Sequence, residues 1–265
     1  MTRQLAAQES TLPGDTLMDK FQVTLDCGFD AIELSGRGDG VFAARAGELR
    51  QARAAGVVMC SAVMHTDVFV GTFEPDRSRS AIDQLKELLT TVVEAGGLGV
   101  VSPNGFGVFS RKLPPFTPPR TQAESRGALL EAMSELGGHA VSVGAQVFLE
   151  PLNRYEDYLI NTLADAVSIV DEVGSPGVAV CADTYHMSIE ERDCAKSIRA
   201  AGAHIKHVQL GDSNRLEPGA GHYDWPASLA ALDQVGYDGW LAMECGLSGP
   251  ATDVLPGVAR LLRQE

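Results

Sequence analysis

Short apolar runs alternate with longer amphipathic segments from one end of this chain to the other, and that rhythm constrains the fold more than any other feature. Eight strand candidates are legible: Gln4 to Glu9, Ala31 to Ser35, Val57 to Met64, Gly99 to Ser102, Val147 to Leu152, Val178 to Asp183, Ile205 to Leu210 and Gly239 to Glu244. Helical patterns lie between them. Ile82, Leu85, Leu89 and Val92 share one helical face, as do Leu129, Met133 and Leu136. Thr121-Gln-Ala-Glu124 and Ser188-Ile-Glu-Glu191 have the form of capping boxes, in which a hydroxyl and a glutamate satisfy orphan N–H groups at a helix start. Several helices run into a glycine before the next strand, at Gly96, Gly174, Gly202 and Gly236.

Eight strand-helix units in 265 residues is about 33 residues per unit, the spacing of an α/β protein folded as a single (β/α)8 TIM barrel over 1–265. A doubly wound open sheet is the alternative. No G-x-G-x-x-G follows the first strand, and no linker or charge block interrupts the alternation. One stretch departs from the rhythm: PNGFGVFSRKLPPFTPPR, residues 103–120, carries five of the 13 prolines. It follows the fourth strand, where a β-to-α loop would overhang the mouth of a barrel as a lid.

Charge narrows the partners. With 21 Lys+Arg against 35 Asp+Glu the net charge is -14, which repels nucleic acid and anionic membranes. Cys27, Cys60, Cys181, Cys194 and Cys245 are odd in number, scattered, and contain no CxxC pair, so a reducing cytoplasm is expected. The first ten residues lack the apolar core of a signal peptide, and no run approaches the roughly 20 apolar residues of a membrane span.

The acids carry the chemistry. Glu150 ends VFLE, Asp183 ends VAVCAD and Glu244 ends WLAME, each after a run that a parallel sheet would bury. A carboxylate in such a place costs several kcal/mol to desolvate unless it is paired or binds a cation. Gln209 takes the matching position on a fourth strand. Strand C-termini converge on one mouth in a barrel, so Glu150, Asp183, Gln209 and Glu244 form a candidate all-oxygen metal site. Mg2+ or Mn2+ suits such ligands, with Co2+ also admissible.

The stretches LEPLNRYEDYLINT (149–162), CADTYHMSIEE (181–191), HVQLGDSNRLEPGAGHYDW (207–225) and GYDGWLAMEC (236–245) resemble the xylose-isomerase-like barrels of the sugar isomerase and epimerase superfamily. The pattern is closest to that of the ketose 3-epimerases. The resemblance implies a metal held by Glu150, Asp183, residue 209 and Glu244, with Glu150 and Glu244 doubling as the catalytic acid/base pair on opposite faces of the sugar. It further implies substrate contacts from Glu156, His186 and Arg215, and a homo-oligomer, dimer or tetramer. Ketose 3-epimerases carry histidine where this chain has Gln209, whereas the hydroxypyruvate-isomerase-like branch uses a glutamine there as ligand.

The expected reaction is C3 epimerisation of a free ketose. A carboxylate removes the proton next to the carbonyl, and a cation offsets the negative charge that results. An aldose-ketose or hydroxypyruvate-type isomerase, and a lyase or dehydratase acting on keto-sugar glycosides, would use the same site. A DNA-repair endonuclease would need a multi-zinc histidine site and a basic face, against the charge of -14. A non-catalytic sugar-binding subunit is the remaining alternative. Two further residues are candidates for substrate contact: Glu33, in AIELSG on the second strand and facing the mouth, and His65, in VMHTD after the third strand, where a loop-capping role is the alternative. His207, on the same face as Gln209, reads either as a support for the site residues or as a satisfied core histidine, Tyr185, Met187, Trp225 and Trp240 read as packing, and Asp224 as a helix cap.

Overall fold

The computed structural model describes residues 3–108 and 118–264. Eight parallel strands close into a barrel in the order β1-β2-β3-β4-β5-β6-β7-β8. They are β1 Gln4–Gln8, β2 Ala31–Arg37, β3 Met59–His65, β4 Gly99–Pro103, β5 Gln146–Glu150, β6 Val178–Asp183, β7 Ile205–Leu210 and β8 Trp240–Met243. Each lies within two residues of its expected bounds. The helices are α1 Leu17–Asp26, α2 Ala46–Ala54, α3 Pro75–Ala95, α4 Gln122–Val143, α5 Leu163–Val173, α6 Thr184–Glu190, α7 Cys194–Ala201, α8 Trp225–Gln234 and α9 Ala251–Arg263. Residues 109–117, half of the expected lid, lie outside the described residues.

The period-two alternation of a strand sorts each side chain outward or inward. On β5, Val147 and Leu149 join the main core beneath the helices, while Phe148 points into the lumen with Val63, Val101, Ala179 and Cys181. Beneath them the lumen floor is small: Ala6, Ala31, Cys60 and Ala242. Two residues along the same inward rows come Gln8, Glu33, Glu150, Asp183 and Glu244. The polar layer at the mouth is therefore a product of register. Glu150 pairs with Pro103, Asp183 with Gln209, and Gln8 with Glu33.

Helix ends follow local chemistry. Thr121 caps α4 in the expected box with Glu124, and two boxes built with aspartate, Thr16/Asp19 and Thr162/Asp165, open α1 and α5. Asp224 caps α8 by accepting from the Ala227 N–H. The Ser188-to-Glu191 box is not formed. Ser188 lies inside α6, whose cap is Asp183, and Glu191 instead accepts from the Leu163 N–H at 2.8 Å and the Ser197 hydroxyl at 2.6 Å. A strand-end carboxylate outcompetes a mid-helix hydroxyl because the first-turn N–H groups face it directly.

Candidate active site

Asp183 serves two purposes at the β6–α6 junction. Its Oδ1 accepts from the backbone N–H groups of Tyr185 at 2.7 Å and His186 at 3.4 Å, which fixes the carboxyl and leaves Oδ2 facing the lumen mouth. The same turn brings His186 Nε2 to 3.7 Å from Asp183 Oδ2 and 3.5 Å from Glu150 Oε1. Ligand atoms of Glu150, Asp183 and His186 lie within 4.8 Å of one another, and all three residues are buried.

Hydrogen bonding decides which of these can hold a metal. His186 Nδ1 faces the Asn153 backbone N–H at 3.1 Å and the Asn153 side-chain amide at 2.9 Å. A backbone N–H can only donate, so Nδ1 is the acceptor and the neutral ring carries its proton on Nε2. Burial, reinforced by the Arg215 charge, pushes the His186 pKa down to about 3 and keeps the ring neutral. His186 thus presents an N–H donor to the mouth, not a lone pair. Asn153 itself is oriented by the Tyr155 N–H on its Oδ1. Sequence reasoning missed Asn153; its signal is a buried amide three residues past a strand-end acid.

The carboxylates are short of partners. Glu244 follows β8, and its Oε2 is shut off from solvent with no hydrogen-bond partner. Burial, together with the repulsion of Glu244 and Asp183, pushes the Glu150 carboxyl well up. Glu244 is raised by burial and then by Asp183 and Glu33, and Asp183 reaches about 7, mainly through burial. Three acids that resist ionisation together, Glu150 and Asp183 buried and Glu244 half-buried with an orphaned oxygen, are a donor set that a hard divalent cation fits.

Arg215 is the cation nearby. It sits in the β7–α8 loop at φ 60°, the left-handed region that a non-glycine residue enters only when its surroundings hold it there. Its Nη1 donates to Glu156 Oε1 at 2.7 Å, and its guanidinium lies over the Tyr185 ring, 4.6 Å from the centroid. Tyr185, expected to be packing, is thus a platform for Arg215. Glu156 Oε2 is buried without a partner, 3.9 Å from His186 Nε2.

Asp212 braces the loop. Its carboxylate accepts from the N–H groups of Ser213, Gly219 and Tyr223 and from Trp225 Nε1, and its carbonyl accepts from Arg215 N–H at 2.8 Å. Burial would raise its pKa, but the Trp225 indole and these N–H groups bring it down to about 2. Trp225 therefore has a polar task beyond packing.

Gln209 lies beside Asp183 in the β6–β7 register and is fully buried. Its Nε2 donates to Glu33 Oε2 at 3.0 Å, and the Cys181 thiol lies 3.5 Å from its Oε1. Glu33 does not present itself to substrate as expected. It is fully buried, and both of its oxygens are engaged by protein donors: Ser61 Oγ at 2.8 Å, His207 Nε2 at 2.7 Å, and the amides of Gln8 and Gln209. His207, read as either a support for the site or a core histidine, is buried, belongs to this network and stacks on Phe148. His65 ends β3 with an exposed side chain, and the charges of Glu33 and Glu9 act on it.

The residues 21–264 match the family described as xylose isomerase-like TIM barrel. The chain belongs to that family. Along its length it is 31% identical over 242 residues to the 3-dehydro-D-guloside 4-epimerase of Escherichia coli K12, covering 91% of each chain. It is 35% identical over 171 residues to the D-psicose 3-epimerase of Enterocloster bolteae, covering 64% of this chain and 56% of the relative. Among solved structures, the apo 3-keto-D-glucoside 4-epimerase of E. coli superposes with a TM-score of 0.91 at 29% identity, covering 99% of this chain and 100% of that one. The D-allulose 3-epimerase of Methylomonas, solved with D-allulose, shares the fold with a TM-score of 0.80 at 24% identity, covering 99% of this chain and 97% of that one. Within this family the chain is an enzyme of the sugar isomerase and epimerase class. No described helix is long and apolar enough to cross a membrane, and all five cysteines are free thiols.

Proposed function

We propose that this protein is a divalent-metal-dependent epimerase that inverts the carbon next to a ketone, acting at C4 of a 3-keto-hexoside. The observation that carries the metal requirement is the trio of strand-end carboxylates with an orphaned oxygen on Glu244. Glu150, Asp183, Gln209 and Glu244 would hold the cation, with Mn2+ or Mg2+ matching an all-oxygen set. When bound, the cation acts as a Lewis acid that withdraws charge from the ketone side of the substrate.

Glu150 and Glu244 stand on β5 and at the end of β8, three strands apart round an eight-stranded ring, so they flank a substrate in the mouth from different sides. One carboxylate removes the proton from the carbon next to the ketone. The other delivers a proton to the opposite face, which inverts that carbon. His186 donates its Nε2–H, and Arg215 its guanidinium, to oxygens on the reacting carbons. Glu156 holds Arg215 through Oε1 and offers its unpartnered Oε2 to a substrate hydroxyl.

The position of attack is argued from coverage. The 4-epimerase relative matches across 91% of both chains, and the residue at 209 is glutamine rather than the histidine of the ketose 3-epimerase pattern. A second reading, C3 inversion of a free ketose, draws on higher local identity: 40% over 115 residues with the D-psicose 3-epimerase of Ruminiclostridium cellulolyticum. Both are the same chemistry, since each proton removed lies next to a ketone.

The test is turnover in deuterium oxide of chelator-stripped protein with and without Mn2+, on a 3-keto-hexoside and on a panel of free ketoses, followed by NMR. The expected result is metal-dependent inversion with deuterium at C4 of the glycoside. Deuterium at C3 of a ketose supports the second reading. A displaced carbonyl or loss of the aglycone overturns epimerisation in favour of an isomerase or a lyase.

A further inference from the structure

The Glu33 network poses a question that the acid/base chemistry does not answer: why a fourth carboxylate is placed in a lumen already crowded with three. Glu33 on β2 reaches across the barrel to Gln209 on β7, with β1 and β8 between them. An ionised carboxylate can only accept hydrogen bonds, so it accepts the NH2 end of the Gln209 amide and excludes the carbonyl end. The two ends of an amide are nearly the same size but opposite in polarity, and only the oxygen can serve a cation. Cys181 supports the same orientation, its thiol lying 3.5 Å from Gln209 Oε1.

Glu33 is itself immobilised. Ser61 Oγ and His207 Nε2 bind Oε1 at 2.8 and 2.7 Å, and Gln8 Nε2 binds Oε2 at 3.2 Å. His207 is held flat against Phe148, ring centroids 5.1 Å apart and planes 12° from parallel. Every oxygen of Glu33 is committed, so it contacts neither substrate nor cation.

We propose that Glu33 is a positioning residue that fixes the orientation of the Gln209 amide, NH2 toward Glu33, so that the Gln209 oxygen is the end available to a divalent cation. This rests on Gln209 being a metal ligand in the function proposed above. A ligating carboxylate has the wrong ends nowhere, whereas a ligating amide must be oriented; Glu33 supplies what the choice of glutamine at 209 requires.

The test is Mn2+ binding to chelator-stripped protein by calorimetry, in a double-mutant cycle. Glu33→Gln can present either end to its neighbour and so releases the Gln209 amide. Its Mn2+ affinity is expected to fall about tenfold to hundredfold, the range for lost ligand-orienting partners. In a Gln209→Glu background no amide remains to orient, and Glu33→Gln is expected to change affinity by less than about twofold or to tighten it. Equal affinity in wild type and Glu33→Gln, or the same loss in both backgrounds, overturns the proposal. If the wild type binds no Mn2+, the metal-dependent function fails and this role with it; if it binds and only the coupling is missing, this role alone fails. Should Glu33→Gln not fold, NMR of 15N-labelled, Mg2+-loaded wild type answers instead. The Gln209 side-chain amide, assigned by its loss in Gln209→Glu, is expected downfield of the other glutamines. A position among the exposed glutamine amides overturns the assignment.

Discussion

Glu33 and Glu150 are the same residue type, both buried and both on inward-facing rows of the barrel, yet their carboxyls are driven in opposite directions. Burial pushes up on each. At Glu33 the His207 ring, with Gln209 and Ser61, more than offsets it and brings the pKa below the ordinary value. At Glu150 nothing does so, and the repulsion of Glu244 and Asp183 adds to the burial. One side of the lumen is a finished hydrogen-bond network and the other an unfinished one. A carboxylate with its donors in place is scaffold; a cluster lacking them is a site built for something that arrives later.

The largest effect expected to sharpen this contrast comes from Glu244→Gln. Removing one member of the proposed acid/base pair should lower kcat about a thousandfold or more. The metal-free variant should nonetheless resist urea better than metal-free wild type at pH near 8, because one of three mutually repelling charges is gone. Glu33→Gln should go the other way, losing about 1–3 kcal/mol by leaving buried donors without their acceptor. If both substitutions move stability in the same direction, the division into finished and unfinished sides is broken.

A second measurement uses pH. Asp183, raised to about 7, and Glu150 and Glu244, both raised well above the usual carboxylate range, keep protons in the folded metal-free protein that the unfolded chain releases above about pH 4. Folded protein therefore binds more protons than unfolded across that window, and stability falls as pH rises through about 7, by up to about 1.4 kcal/mol per unit for each proton. Urea melts of stripped protein should show this fall, and saturating Mn2+ should abolish it. A metal-free stability that climbs across the window would mean that the acids are neutralised from within the protein.

The smallest expected effect sets the baseline at the far end of the barrel. Gly144 ends α4 at φ 81° with open space where a side chain would go, so Gly144→Ala suffers only the backbone cost of the left-handed conformation. That is about 1 kcal/mol of stability, with Mn2+ affinity and kcat unchanged. A change in metal binding there would show that stability and site are coupled too closely for the other variants to be read separately.

The strands and the convergence of three acids on one mouth are legible because burial and charge conflict visibly in one dimension: VFLE, VAVCAD and WLAME each end an apolar run on an acid. Glu33 also follows apolar residues, in AIEL, but the strand runs on past it to Arg37 instead of ending there. What separates them is a set of partners from other strands, His207 lying 174 positions away and Gln209 176. Parity along a strand says which way a side chain faces, not what meets it across a lumen. The Ser188 misreading has a related cause. Capping motifs rank local candidates, and the local winner, Asp183, both caps α6 and faces the mouth.

The brace around Asp212 has a consequence for the thermodynamics of substrate capture. An arginine on a mobile loop surrenders backbone and side-chain freedom when it closes on a sugar, and that loss subtracts from affinity. Here the carboxylate of Asp212, the ring of Tyr185 and Glu156 fix Arg215 during folding, including its left-handed backbone. The ordering entropy is thereby charged to the stability of the barrel and not to the encounter with substrate, and in the proposed reaction the guanidinium would meet each successive sugar already in place.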